Sequence, residues 1–239
     1  MDIIILAAGH GTRLRPLTDT LPKPLIDICG LSLIEIHLFR LAAAGFKRVI
    51  INLHHLGKLI REKLGDGQRY GLRILYSTET NEALETAGGI YNALSLIESE
   101  TFIAISADVL CDYPVELLAA IDMNEILGYL VMVENPSHHP NGDFALNGSG
   151  FLKSGDQNSP QPAYTFSGLA CFKRAMFEHL EPGKRALRPV LEAAINEQQL
   201  MGEIYTGLWS DIGTLERLHQ ARASEQIGQY IASIKQSIS

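Results

Sequence analysis

The chain has 239 residues, of which 46% are hydrophobic and 20% charged, the composition of a folded domain rather than a disordered segment. Lys+Arg number 20 against 27 Asp+Glu, a formal charge of −7; this argues against a nucleic-acid-binding surface but leaves room for a local basic pocket that takes a phosphate ligand. Cys29, Cys111 and Cys171 include no C-x-x-C pair, which excludes a disulfide framework or a zinc site, and with no run of about 18 apolar residues and no signal-like start the expectation is a cytoplasmic protein without a membrane partner.

Residues 2–8 (DIIILAA) form a continuous apolar, β-branched run, the pattern of a central parallel strand covered on both faces. A glycine-rich loop follows at 9–13, and Pro16, Pro22 and Pro24 keep the chain out of helix as far as Gly30. Helical periodicity occupies 31–45, with Ile34, Leu38 and Leu41 on one face. The spacing then predicts a strand at 48–53, a helix at 56–64, a strand at 72–77, a helix at 86–97 and a strand at 102–106. A helix at 114–125 and a strand at 128–133 complete this half. The rhythm breaks over 135–162, where four prolines and little periodicity predict a β-hairpin with a long mobile insertion. A strand at 164–172, an amphipathic helix at 187–198, a strand at 201–205 and a helix at 214–225 capped by Thr214 follow. Residues 227–239 read as a weak extra helix or a frayed tail.

Strands alternating with helices at this spacing predict βαβ units and a mixed, mostly parallel sheet in one α/β domain over 1–226. Its regular half is about 1–133 and its irregular half about 134–226. Ligands of such sheets sit at the C-terminal strand ends, here Ala7-Ala8 and Ser106-Ala107-Asp108.

The loop Gly9-His10-Gly11-Thr12-Arg13 follows a buried strand, a position from which backbone N–H groups can form an anion nest, and Arg13 adds a planar fork of donors. A tight turn requiring positive φ is the local alternative. A Rossmann fingerprint needs a further glycine where this chain has Leu14 and a helix that the prolines forbid; a Walker A loop needs Gly-Lys-Ser/Thr, which does not occur. In Pro22-Lys23-Pro24 two prolines fix the backbone around one lysine and lower the entropy lost when Lys23 meets a ligand. Taken alone, the same segment is a stiffened surface loop.

Together, GHGTRLRPLT at 9–18 and PKPL at 22–25 resemble the signature of the sugar-nucleotidyltransferase family, the nucleoside-triphosphate:sugar-1-phosphate nucleotidylyltransferases. The resemblance continues through Gly88-Gly89, SAD at 106–108, FSGL at 166–169 and WSDIGT at 209–214. It implies a Rossmann-like (GT-A-like) mixed sheet with an active site across the strand ends, a nucleotide half at about 1–133 and a sugar-phosphate half at about 134–226. It also implies that Gly9, Gly11, Thr12 and Arg13 take the triphosphate, with Lys23 at the α-phosphate. Leu6, Ala8, Glu85 and Gly88 lie beside the base, Ser106 at the ribose or base, and Asp108 and Asp211 hold a catalytic Mg2+. Arg13, Lys23, Asp108 and Asp211 are the catalytic set.

Charge supports the metal: a triphosphate and a sugar phosphate bring roughly six negative charges together, each close pair costing about 4 kcal/mol at an effective dielectric of 20, and Mg2+ accepts one or two carboxylates plus phosphate oxygens. The competing role for Asp211 is a helix cap. The nucleophile, a sugar phosphate oxygen, is already ionised, so no general base is required, and none of the eight histidines needs a catalytic role.

The stretch NPSHHPNGDF at 135–144, with LETAGG at 84–89, resembles family members that act on N-acetylmuramic acid 1-phosphate. The implied substrates are UTP and that sugar 1-phosphate, with Asp143 and Gly168 at the acceptor. A turn residue is the alternative for Asp143. The Glu-Lys-Pro segment of thymidylyl members is absent between 144 and 163, and His10, Ala87, Ser106 and Ala107 depart from the common pattern. Alternatives are transfer to glucose, mannose or N-acetylglucosamine 1-phosphate from UTP, dTTP or GTP, and a non-catalytic nucleotide-sugar-binding regulator. A monomer or small homo-oligomer is expected.

Overall fold

The structure, a computed structural model, describes residues 1–80, 82–154 and 162–237. In chain order the elements are β1 (Asp2–Leu6), β2 (Asp27–Ile28), β3 (Leu31–Ser32), α1 (Leu33–Ala43), β4 (Arg48–Leu53), α2 (Gly57–Leu64), β5 (Arg73–Thr78), α3 (Glu85–Ala93), β6 (Thr101–Ser106), β7 (Val109–Cys111) and α4 (Val115–Ala119). They continue with β8 (Gly128–Val133), β9 (Phe144–Leu146), β10 (Leu152–Ser154), β11 (Ala163–Lys173), α5 (Ala175–Glu178), α6 (Leu187–Asn196), β12 (Leu200–Tyr205), β13 (Trp209–Asp211), α7 (Leu215–Ala223) and α8 (Glu225–Ser237).

The central row of strands runs β5-β4-β1-β6-β11-β8-β12. Neighbours β5/β4, β4/β1, β1/β6 and β8/β12 are parallel, and β11 lies antiparallel to both β6 and β8. This is the mixed, mostly parallel sheet that the pattern predicts. Its apolar runs divide by parity, because successive strand side chains face opposite ways. Ile3, Ile5, Val49, Ile51, Ile103 and Ile105 pack on one face with Ile34, Leu38 and Leu41 of α1. Ile4, Ile50, Phe102 and Ala104 pack on the other with α3 and α6.

Several predicted boundaries shift. The helix expected over 114–125 is the short α4, Val115–Ala119. The proline-rich stretch holds three 3-10 turns, Thr12–Leu14, Leu17–Asp19 and Lys23–Leu25, rather than open loop, because proline is admitted in first turns. The hairpin in 135–162 is β9/β10; the insertion expected beyond it falls mostly on 155–161, outside the described residues. Of the two readings of the tail, the helix is the one that forms: α8, Glu225–Ser237, buries Ile227, Ile231 and Ile234 in a third cluster with Leu14, Ile36 and Leu218. Each such burial contributes about 1.5–3 kcal/mol.

Candidate functional site

The cleft lies across the C-terminal ends of β1, β4 and β6. Two contiguous cavities occupy it, one of 380 Å³ beside the glycine loop and one of 510 Å³ on the β9–β11 side, and both are lined by Leu6, Arg13, Ser106 and Asp108. Parallel strands deliver their ends to one edge, which brings residue 6 beside residue 106.

The glycine loop is pinned from several directions. Gly11 has φ +63°, and a Cβ there would lie 3.0 Å from Thr18 Cγ2 and 3.3 Å from Lys23 Cβ, so both conformation and space require glycine. Thr18 Oγ1 and the Leu14 N–H each donate to the Gly11 carbonyl at 2.8 Å. Leu14, which stands where a Rossmann loop would need glycine, is fully buried and anchors the turn to the third cluster. Asn52 holds the strand end: its Oδ1 accepts from Ala7 N at 2.6 Å and its Nδ2 donates to Glu79 Oε1 at 2.8 Å. Ala8, Gly9, Gly11, Thr12, Lys23 and Glu85 all line the smaller cavity. Arg13 is exposed into the cleft and has no hydrogen-bond or ion-pair partner among the described residues. Lys23, 9% exposed, pairs with Asp108.

Asp108 and Asp211 converge through a two-strand ribbon that sequence reasoning missed. β7 pairs antiparallel with β13, Asp211 opposite Val109, and Ile212 N donates to the Asp108 carbonyl at 2.8 Å. Both carboxylates line the larger cavity. Asp211 Oδ2 accepts from Arg217 Nη1 at 2.7 Å, and its Oδ1 lies 3.1 Å from His138 Nε2. Thr214 caps α7, accepting from Arg217 N at 3.2 Å. Asp211 itself therefore does not supply the cap. Among the described residues no group of three or more His, Cys, Asp or Glu side chains is arranged around a metal position. Two carboxylates in a phosphate-sized cleft fit a hard cation that completes its shell with phosphate oxygens and water, rather than a zinc-type site.

On the β9–β11 side, Asp143 is fixed. Its Oδ2 accepts from Phe166 N at 2.9 Å, and its Oδ1 lies 3.2 Å from His139 Nε2 and 3.4 Å from Arg188 Nη1. Phe144, Phe166, Phe172 and Leu191 give this cavity an apolar wall. Gly168 lines it at a register shift in β11, with φ +87° and a would-be Cβ 2.8 Å from Ser106 Oγ. Trp209 Nε1 donates to Ser167 O at 2.9 Å, tying β13 to that shift.

Gly88 lines neither of the two cavities. A Cβ there would lie 2.4 Å from the Gly183 carbonyl, and its N–H donates to Arg185 O at 3.2 Å; this glycine packs α3 against the 183–185 backbone. His54 and His55 stand with His10, ring centroids 5.2 and 5.1 Å from it. Burial first, then the neighbouring His55, His54 and Arg15, holds the His10 imidazole below its ordinary pKa. Sequence reasoning missed Arg217 and Arg188: Arg188 reaches Asp143 from 45 positions away, and Arg217 lies in the first turn of α7 just past the WSDIGT motif, where no motif marks it.

Residues 2–227 match the model of the nucleotidyl transferase family. The chain is 43% identical over 229 residues to a protein of Neisseria meningitidis serogroup B named N-acetylmuramate alpha-1-phosphate uridylyltransferase, covering 93% of this chain and 97% of that one. A protein of the same name from Caulobacter vibrioides is 31% identical, covering 88% and 90%. The solved structure of the inositol-1-phosphate CTP transferase from T. maritima, 19% identical, superposes with a TM-score of 0.80 over 100% of this chain and 97% of that one. That likeness speaks for the fold, a GT-A-like nucleotidyltransferase sheet.

Proposed function

The chain belongs to the nucleotidyl transferase family, and from that membership we propose that it moves a uridylyl group from UTP to N-acetylmuramic acid 1-phosphate, releasing pyrophosphate and UDP-N-acetylmuramic acid. The coarser statement, a sugar-1-phosphate nucleotidyltransferase, holds without the proposal. The reaction suits a cytoplasmic route that returns cell-wall sugars to nucleotide form, and the three free cysteines suit a reducing compartment.

The observation that carries the reading is the double cavity: a glycine loop with Lys23 on one side, Asp143 with an apolar wall on the other, and Arg13 and Asp108 shared between them. The Gly9, Gly11 and Thr12 backbone cradles the triphosphate, with Arg13 at its outer phosphates. Leu6, Ala8, Glu85 and Ser106 flank the nucleoside. Lys23, paired with Asp108 in the structure, supplies positive charge at the α-phosphate. Asp143 and Gly168 border the sugar. Asp108 and Asp211 would hold a Mg2+, which supplies charge neutralisation for the pentavalent phosphorus and the leaving pyrophosphate. An acceptor phosphate oxygen attacks the α-phosphorus in line, the bond to the β-phosphate oxygen breaks, and no side chain needs to take a proton.

Pyrophosphate release is the test, with UTP, dTTP or GTP against N-acetylmuramic acid, N-acetylglucosamine and glucose 1-phosphates. The proposal expects kcat/KM to be greatest for UTP with N-acetylmuramic acid 1-phosphate. A preference for another pair reassigns the substrates and leaves the reaction class in place.

A further inference from the structure

Gly213, between β13 and α7, lines the glycine-loop cavity beside Arg13, which lines both cavities. A Cβ built there would lie 1.9 Å from Arg217 Nη2 and 3.3 Å from Arg13 Nη2, so two guanidinium groups stand over one backbone position. Arg13 lines both cavities; Arg217 lines the Asp143 side and not the glycine-loop side. The Arg217 side chain is 12% exposed, and its Nη1 donates to Asp211. Its Nε is buried with no partner among the described residues. A nearly buried arginine with one edge satisfied and donors left over is an anion-binding group held ready.

The other cations of the cleft are committed. Lys23 lies in the glycine-loop cavity, on Asp108. Arg188 is held between Asp143 and Glu192. Among the described residues no lysine lines the Asp143-side cavity. Yet a sugar 1-phosphate must enter that side with about two negative charges and approach a phosphate it is repelled by.

We propose that Arg217 receives the phosphate of the sugar 1-phosphate, while Arg13 beside it is shared between acceptor and nucleotide phosphates. Arg217 Nη1 stays on Asp211, and Nη2, over Gly213, serves the acceptor. One guanidinium thereby fixes the distance between the metal-binding carboxylate and the attacking group. The inference rests on the reading of the chain as a sugar-1-phosphate nucleotidyltransferase.

Arg217→Ala and Arg217→Lys in the full chain test it, with the sugar 1-phosphate and nucleotide that the unaltered enzyme turns over. Losing a charged hydrogen bond predicts that the acceptor KM rises about 10–100-fold in the alanine variant. The lysine variant recovers part of it, and the UTP KM and the half-saturating Mg2+ concentration stay within about two-fold. Calorimetric titration of the sugar 1-phosphate alone loses affinity by a similar factor. Should Arg217→Ala fail to fold by circular dichroism, Arg217→Lys carries the same comparison with a smaller expected rise. An unchanged acceptor KM in a folded, active variant overturns the assignment, as does a shift confined to UTP and Mg2+, the mark of a residue that only steadies Asp211. If the unaltered enzyme turns over no sugar 1-phosphate with any nucleotide, the reaction class itself falls first.

Discussion

Asp108 and Asp211 reach one cavity from strands that are partners in space and about a hundred positions apart in the chain. Each already faces a cation, Lys23 on one and Arg217 on the other, so their charge is balanced in the fold. Asp108→Asn or Asp211→Asn keeps the shape and removes the charge. Turnover is expected to fall by about 10²–10³-fold, the scale seen when one group that stabilises transition-state charge is lost, with the melting temperature within a few degrees of the parent. Unreduced turnover removes the metal assignment. His37 is the other residue with a distinct prediction. It lies on α1, buried, and neither ring nitrogen makes a well-formed hydrogen bond among the described residues. Burial, and then the Arg40 guanidinium, holds its pKa down to about 3 from 6.5. The unfolded chain therefore binds a proton that the folded chain refuses between those values. Stability is full above about pH 6.5 and falls by about 1.4 kcal/mol per pH unit below it. Urea unfolding at pH 7 and pH 5 measures the slope, and His37→Leu is expected to flatten it.

Elements were more legible than boundaries. β4 and β8 stand where the apolar runs place them, 48–53 and 128–133, because a strand buried on both faces leaves little room for polar residues. The β7/β13 ribbon was not legible, since strands of three residues carry no period and their pairing joins segments about a hundred positions apart. The roles expected of the glycine loop and Lys23 came only from the two motifs read together, since Pro22-Lys23-Pro24 alone reads as a stiffened surface loop; Gly88, expected beside the base, packs against the 183–185 backbone. Two adjacent glycines within a helix signal close approach of backbone, and the sequence does not say whose. α8 was undervalued for a physical reason: its isoleucines at 227, 231 and 234 make a narrow stripe, and a stripe is recognised only once α1 and α7 supply the surface it covers. Ile231→Ala should cost about 2–4 kcal/mol in chemical denaturation. A change under about 0.5 kcal/mol would mean that α8 adds little to the fold.

For the whole molecule, a net charge of −7 surrounds a cleft that gathers Arg13, Lys23 and Arg217, so the phosphate recognition proposed above is local and the general surface opposes it. Nucleotide with Mg2+ should bind the folded chain only. At a hundred times its Kd it contributes about 2.7 kcal/mol, a rise of roughly 5–10 °C in melting temperature for a chain of this size. Differential scanning fluorimetry with UTP and Mg2+ measures it. Adding EDTA is expected to remove most of the shift, and an EDTA-insensitive shift would count against metal-assisted nucleotide binding.

The register shift in β11 separates two roles of one strand. Beyond it, residues 169–173 are locked into the middle of the sheet beside β6; ahead of it, Ala163 and Tyr164 carry β9. The hairpin that borders Asp143 is also tied to β12 by the Phe151–Met201 bridge and the Gly202 N–H on Gly150 O, and its Phe144 and Leu152 are buried in the second core cluster. On the proposed reading, a switch of acceptor in this architecture has to keep those two apolar anchors and is confined to the few side chains the hairpin turns toward the cleft.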